Sequence, residues 1–183
     1  MVFCSQVLLF AQENPEDIVL AEDKTENNFY ESVKLRAIEN YDKAIVAIEK
    51  CIQSDNTNPV FYHELGKNYL DLKQYPQAEQ AFQKAVDLNP KERWYWNGLY
   101  DVYYQTKEYQ KAIDYYNQIM DHHADGIYVD EALFFSAEIY RKYLDDAEKA
   151  KPLYEKMIFE HADSIYFAEA RKQFRILRGD ANL

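Results

Sequence analysis

The chain has 183 residues, of which 16% are aromatic, with 17 tyrosines against four glycines and five prolines. That length is enough for one domain with a sizeable core, and no long low-complexity tract interrupts it. The formal net charge of −11 argues against nucleic acid or an anionic membrane surface as the main partner. A basic peptide partner or plain solubility would each explain the sign, and solubility is the simpler account.

Residues 2–11, VFCSQVLLFA, form the one continuous apolar segment, and Gln12-Glu13-Asn14-Pro15 ends it abruptly. Ten residues are too few to cross a bilayer as a helix. The segment resembles the hydrophobic and cleavage regions of a secretory signal, with Ala11 at the cut, although no basic stretch precedes it. Its Phe-Ala-Gln ending is similar to signals of the Bacteroidota. Residues 1–11 are therefore read as a signal remnant and 12–24 as an N-terminal segment, which implies export. The alternative is a cytosolic chain whose start is an apolar capping segment. Met-Val-Phe before Cys4 makes a poor lipobox, so no lipid anchor is expected there. Once the signal is removed Cys51 stands alone, which leaves no structural disulfide within the chain.

From residue 25 onward one period dominates. Tyr41–Ala44, Tyr75–Ala78 and Tyr109–Ala112 share the form Tyr-x-x-Ala at intervals of 34 residues. Leu35, Tyr69 and Tyr103 align with that register, as do Ile48, Phe82 and Tyr116, and then Cys51, Ala85 and Ile119. The middle copy reads Tyr62-x-x-Leu65-Gly66-x-x-Tyr69, then Ala78-x-x-x-Phe82, then Pro90. This resembles the tetratricopeptide (TPR) pattern, with Tyr in place of its first Trp. Such a repeat needs two antiparallel helices that approach closely, and Gly66, Ala78 and Ala85 supply the small side chains for the crossing. Tyr69 and Phe82 are expected to fill the space between repeats. Pro59 after Asn58, and Pro76, suit helix starts because the missing N–H costs nothing there. The repeats are placed at 25–58, 59–92 and 93–126. The first helix of repeat one fits least well, with Asn28, Glu31 and Ser32 at the places of Trp, Leu and Gly.

A 38-residue period follows, in which MDHHADGIYVDEA (120–132) returns as IFEHADSIYFAEA (158–170). The extra residues fall partly ahead of Glu131-Ala132 and partly in the Tyr143–Asp146 turn. Ala150, Tyr154 and Met157 then restore the second-helix pattern. Residues 120–178 resemble the periplasmic TPR proteins of outer-membrane assembly, whose repeats join through a Tyr-Pro-x-Ser-x-Tyr-x-x-x-Ala sort of segment. Here His161–Tyr166 followed by Ala170 matches, with Ala162 in place of Pro. Repeat four is placed at 127–164. A lone helix in 165–183 is read as a cap, since Arg171, Lys172, Gln173 and Arg175 replace Leu133, Phe134, Phe135 and Ala137. If Asp146 caps the preceding helix, Pro152 lies inside it and should bend it or delay its start.

No chemistry announces itself. There is no Gly-rich phosphate loop, nucleophile elbow, Cys-x-x-Cys or His-Glu-x-x-His. His122 and His123 between Asp121 and Asp125 point in different directions on a helix, and His161 repeats the position of His123, which favours a structural role over a metal. Asp145-Asp146 reads as a turn and cap. No enzyme, cofactor or metal is expected.

The resemblance implies an all-α fold: a right-handed superhelix (α-solenoid) of about four helix-turn-helix repeats plus the C-terminal cap. It also implies a concave groove lined by positions 2, 5, 9 and 12 of the first helices. Those positions are Phe29, Val33 and Arg36 in repeat one; Val60, His63, Lys67 and Leu70 in repeat two; Trp94, Asn97, Asp101 and Tyr104 in repeat three. Phe135 continues the stripe in repeat four. The family's clamp for chaperone C-terminal carboxylates is absent, because its places hold Phe29/Val33, Tyr62–Lys67 and Trp94/Gly98. The expectation is a non-enzymatic scaffold that binds a peptide segment of a partner protein, in the assembly of a bacterial cell-envelope complex at the periplasmic or outer-membrane side. The alternatives are a cytosolic adaptor, or a structural subunit that oligomerises through its ends or convex face.

Overall fold

The 34-residue recurrence is written into the backbone at one kind of turn. The computed structural model describes the backbone of residues 15–122 and 126–180, and the side chains of 24–121 and 128–180. Helix α1 (Pro15–Ala37) pairs with α2 (Tyr41–Ser54), α3 (Pro59–Asp71) with α4 (Tyr75–Leu88), and α5 (Arg93–Thr106) with α6 (Tyr109–His122). Between the members of each pair stands a residue with left-handed φ: Glu39 at 60°, Lys73 at 59° and Lys107 at 61°. The next N–H, of Asn40, Gln74 or Glu108, donates back to the carbonyl of Leu35, Tyr69 or Tyr103 at 2.8, 2.8 and 2.9 Å. This six-to-one bond satisfies a helix carbonyl that would otherwise be orphaned and folds the chain back on itself. In the fourth pair, α7 (Gly126–Lys142) and α8 (Ala147–Glu160), Asp145 carries the positive φ of 50°. There the Asp146 N–H reaches Tyr140 at 2.9 Å, one residue further back. Helix α9 (Phe167–Arg178) follows. Among the described residues every regular element is a helix.

The chain divides into two compact units, Met1–Leu88 and Asn89–Leu183. In the first, α1 packs on α2, α2 on α3 and α3 on α4, while α1 and α3 also meet along their sides. Close approach explains the residue choices. Ala78, Phe82 and Ala85 of α4 are fully buried, and Phe82 lies directly over Gly66 of α3. Phe82 thus fills its own repeat, whereas the sequence placed it between repeats. Ser32 holds the equivalent place in α1. It is fully buried, and its hydroxyl donates to the carbonyl of Ala44 in α2 at 2.9 Å. The nonconforming residue is therefore a small side chain at the crossing with its one polar group satisfied. Ile48, Cys51 and Phe61 form the core beneath. The Cys51 thiol is fully buried, and burial pushes its pKa up.

In the second unit α5 packs on α6, α6 on α7, α7 on α8 and α8 on α9. Buried Trp96 donates its indole N–H to the carbonyl of Pro90 at 2.9 Å. Leu133, Phe134, Ala137, Ala150, Tyr154, Met157 and Ala170 make one core, against which Phe174 and Leu177 of α9 pack. The Asp146 side chain accepts from Lys149 N at 3.0 Å, so α8 begins at Ala147 and Pro152 lies inside it. Its start is not delayed. On α9, Arg171 and Lys172 are exposed, but Gln173 is buried with its amide donating to Glu169 at 2.6 Å. Gln173 therefore faces inward, unlike the basic residues with which the sequence grouped it. His161 ends α8 and its Nδ1 meets the Asp130 carboxylate of α7 at 2.6 Å. His161 thus has a structural tie, in line with the reading of that repeated position.

Candidate functional site

Two faces made by first helices carry the sequence-selected residues, one in each unit, and they differ in kind. In the first unit the face is closed by charge. Arg36 of α1 donates to Glu64 of α3 at 2.8 Å and to Asp71 at 3.3 Å, and Lys67 reaches Glu64 at 2.8 Å. The Glu64 side chain is almost fully buried. Burial acts to lower the Arg36 pKa, but the hydrogen bonds and charges of Glu64 and Asp71 prevail and raise it. Phe29 is half-buried against Phe61 at 5.8 Å, and Val33, Val60 and Leu70 are half-buried as well. His63 is a correction. Only 6% of it is exposed and its ring packs on Phe82 at 5.2 Å, so it belongs to the interior.

The face in the second unit is open and aromatic. Tyr100 and Tyr104, one turn apart on α5, stack with ring centres 5.8 Å apart. The hydroxyls of Tyr104 and Tyr143 meet at 2.7 Å, and Tyr143, just beyond α7, also stacks on Tyr109 at 4.5 Å. Phe135 lies parallel to Tyr116 at 6.1 Å. Together with Glu138 and Lys142 of α7 and Glu169 of α9, Tyr100, Tyr104, Phe135 and Tyr143 line a groove of about 260 Å³. The contact with Tyr104 pushes the Tyr143 pKa up to about 12. Burial raises those of Tyr100, Tyr115 and Tyr116.

One wall is anchored by Glu138. Its carboxylate accepts from the buried hydroxyl of Tyr154, from Arg141 at 2.9 Å, and from Lys142. Burial works to raise the Glu138 pKa, but these donors outweigh it and hold the carboxyl below its ordinary value. Between the same two helices Arg93 of α5 pairs with Glu131 of α7 and sets its guanidinium 5.0 Å over the Tyr128 ring.

The remaining sequence-selected residues lie on α5. Trp94 is 39% exposed beside Tyr95. Asn97 accepts from the Tyr115 hydroxyl at 3.4 Å. Asp101 is open to solvent, yet the surrounding protein removes enough water to raise its pKa above its ordinary value. Of the residues selected by position, Tyr104 and Phe135 line the groove. Tyr100, Glu138, Lys142, Tyr143 and Glu169 were missed. The Tyr100/Tyr104 spacing and the Glu138/Lys142 spacing, each i,i+4, were legible signals; the place of Tyr143, in a turn, was not.

No group of three or more His, Cys, Asp or Glu among the described residues is arranged to hold a metal. The His122 side chain, His123 and Asp125 lie outside the described residues, as do residues 1–11 with Cys4 and Ala11. None of the described helices is long and apolar enough to cross a membrane.

Antiparallel helix pairs repeated at a fixed interval, with an aromatic groove along their first helices, define an α-helical repeat protein. Residues 63–126 match the tetratricopeptide repeat family. A TPR repeat-containing protein of Methanocaldococcus jannaschii is 28% identical over 93 residues, 51% of this chain and 16% of that protein. The chain thus spans only a small part of that relative. A crystal structure of MamA superposes with a TM-score of 0.63 at 22% identity, covering 88% of this chain and 86% of the other. The first TPR of Spaghetti, solved with the HSP90 peptide SRMEEVD, gives a TM-score of 0.54 at 21% identity, covering 65% and 94%. Both structures share the fold.

Proposed function

We propose that this protein is a non-enzymatic scaffold that holds an extended segment of a partner protein in the groove of α5 and α7. The observation that carries the reading is the groove itself: aromatic walls with hydroxyls at one end and charges fixed along its side. Rigid aromatic surface provides affinity at low entropic cost, and the polar groups fix a backbone. A known TPR structure with a bound peptide makes this use of the fold reasonable.

We place the protein at the periplasmic or outer-membrane side of a bacterial envelope, where it helps assemble a complex. The support is the apolar run 2–11 ending at Gln12–Pro15, together with the His161–Ala170 linker pattern. A cytosolic adaptor is the competing location, and mass spectrometry of the mature N-terminus separates the two. A structural, self-associating role has one observation in its favour: Phe159 is 75% and Ile165 84% exposed near the end of α8.

The test is in-cell crosslinking from a photoreactive residue at Tyr104, with a control at Lys111 on α6. Capture of one envelope protein from position 104 alone supports the groove scaffold. Self-crosslinks, or equal capture from both positions, replace it with the structural role.

A further inference from the structure

The charged groups on α5 and α7 are almost all matched. Asp130 meets His161, Glu131 meets Arg93, and Glu138 has Arg141, Lys142 and Tyr154. Asp101 is the exception: no hydrogen bond or ion pair reaches its carboxylate from the described residues. It stands three residues before Tyr104 and four after Asn97, so all three share one helix face, and the Tyr100–Tyr104 stack rises beside it.

We infer that Asp101 and the ring of Tyr104 together form a subsite for a basic side chain, Arg or Lys, of the bound segment. The inference rests on the groove reading above and gives that groove's ligand a chemical class. A carboxylate next to an aromatic face is complementary to a guanidinium in two ways. The carboxylate takes a charge-assisted hydrogen bond, and the ring face attracts the cation or covers its aliphatic stem. Partial loss of water at Asp101 makes an arriving cation worth more than at a fully hydrated carboxylate. The chain's net charge of −11 favours the same sign of partner. Lys142 does not oppose it, because Glu138 already holds that ammonium.

The experiment uses the full chain and an immobilised positional-scanning library of ten-residue peptides, probed with wild type, Asp101→Asn and Asp101→Glu. Circular dichroism of each variant checks the fold. The expected result is enrichment of Arg or Lys at one position for wild type and Asp101→Glu. For Asp101→Asn the enrichment disappears, and the best basic peptide binds about tenfold more weakly in solution. Peptide retention without basic enrichment overturns the inference and leaves the groove reading standing. Enrichment of acidic residues, or basic enrichment unchanged in Asp101→Asn, also overturns it. If no peptide is retained, the groove reading itself falls and the subsite with it.

Discussion

A β-carbon on Gly66 would stand 2.6 Å from Cδ1 of Phe82, closer than any ordinary carbon contact. The glycine is therefore fixed by the phenyl ring of the facing helix rather than by its own backbone, which is helical. Gly66→Ala gains about 1 kcal/mol of helix propensity but forces a fully buried ring to move, at about 1–3 kcal/mol. The expected outcome is net destabilisation, read as a lower midpoint in thermal or urea unfolding. A midpoint at or above wild type would mean that the ring can yield.

The three recurrent turns make the opposite prediction. Lys107 is exposed and carries φ of 61° without the freedom of glycine. Lys107→Gly removes that strain and keeps the returning hydrogen bond, so it should stabilise by up to about 1 kcal/mol. Equilibrium unfolding measures it, and a loss of stability would contradict the turn geometry.

Glu138 links α7 to Tyr154 of α8. Its pKa is lowered in the folded state, so its stabilising contribution is present above the unfolded carboxylate pKa. That contribution is lost as pH falls through the lower folded value. Glu138→Gln should cost about 1–3 kcal/mol at neutral pH and flatten the acid limb of the stability curve. An acid limb that stays equally steep would assign that limb to other carboxylates.

The Tyr104–Tyr143 pair can be read spectroscopically. Tyr143 is pushed up to about 12 chiefly by its bond to Tyr104. Tyr104→Phe should bring one tyrosine back toward its ordinary titration range in an ultraviolet difference titration. The sign is that of a raised group: the contact is intact below the unfolded tyrosine pKa and fails as pH climbs through the folded one. An unchanged titration would place Tyr143 elsewhere.

Deleting residues 165–183 removes α9, and with it Ala170, Phe174 and Leu177 from the core containing Leu133, Phe134 and Met157. The truncated chain should aggregate at concentrations where the full chain does not. Light scattering would decide it, and an equally stable, non-aggregating product would deny α9 its covering role.

The fold was largely legible because a repeat writes its packing into the sequence several times. Helix crossings need small residues at one spacing, and Gly66, Ala78 and Ala85 displayed that spacing openly. Ser32 was harder to read, since a hydroxyl qualifies as small only once its bond to the Ala44 carbonyl is seen. The candidate site was half legible. Position within the repeat selected Tyr104 and Phe135, which line the groove, but it also selected His63, whose ring packs on Phe82.

By itself the sequence determined the helix pairs, the crossing residues and the Asp146 cap, because each depends on neighbours a few residues away or on a period that recurs. Only the tertiary structure decided which charges cancel and which stay open. Arg36 with Glu64, Arg93 with Glu131 and Tyr104 with Tyr143 are separated by 28, 38 and 39 residues. The physical reason is that periodicity encodes which face is buried, whereas pairing depends on where long side chains from different helices happen to end. That difference closes the face of the first unit with ion pairs and leaves the aromatic groove of the second open.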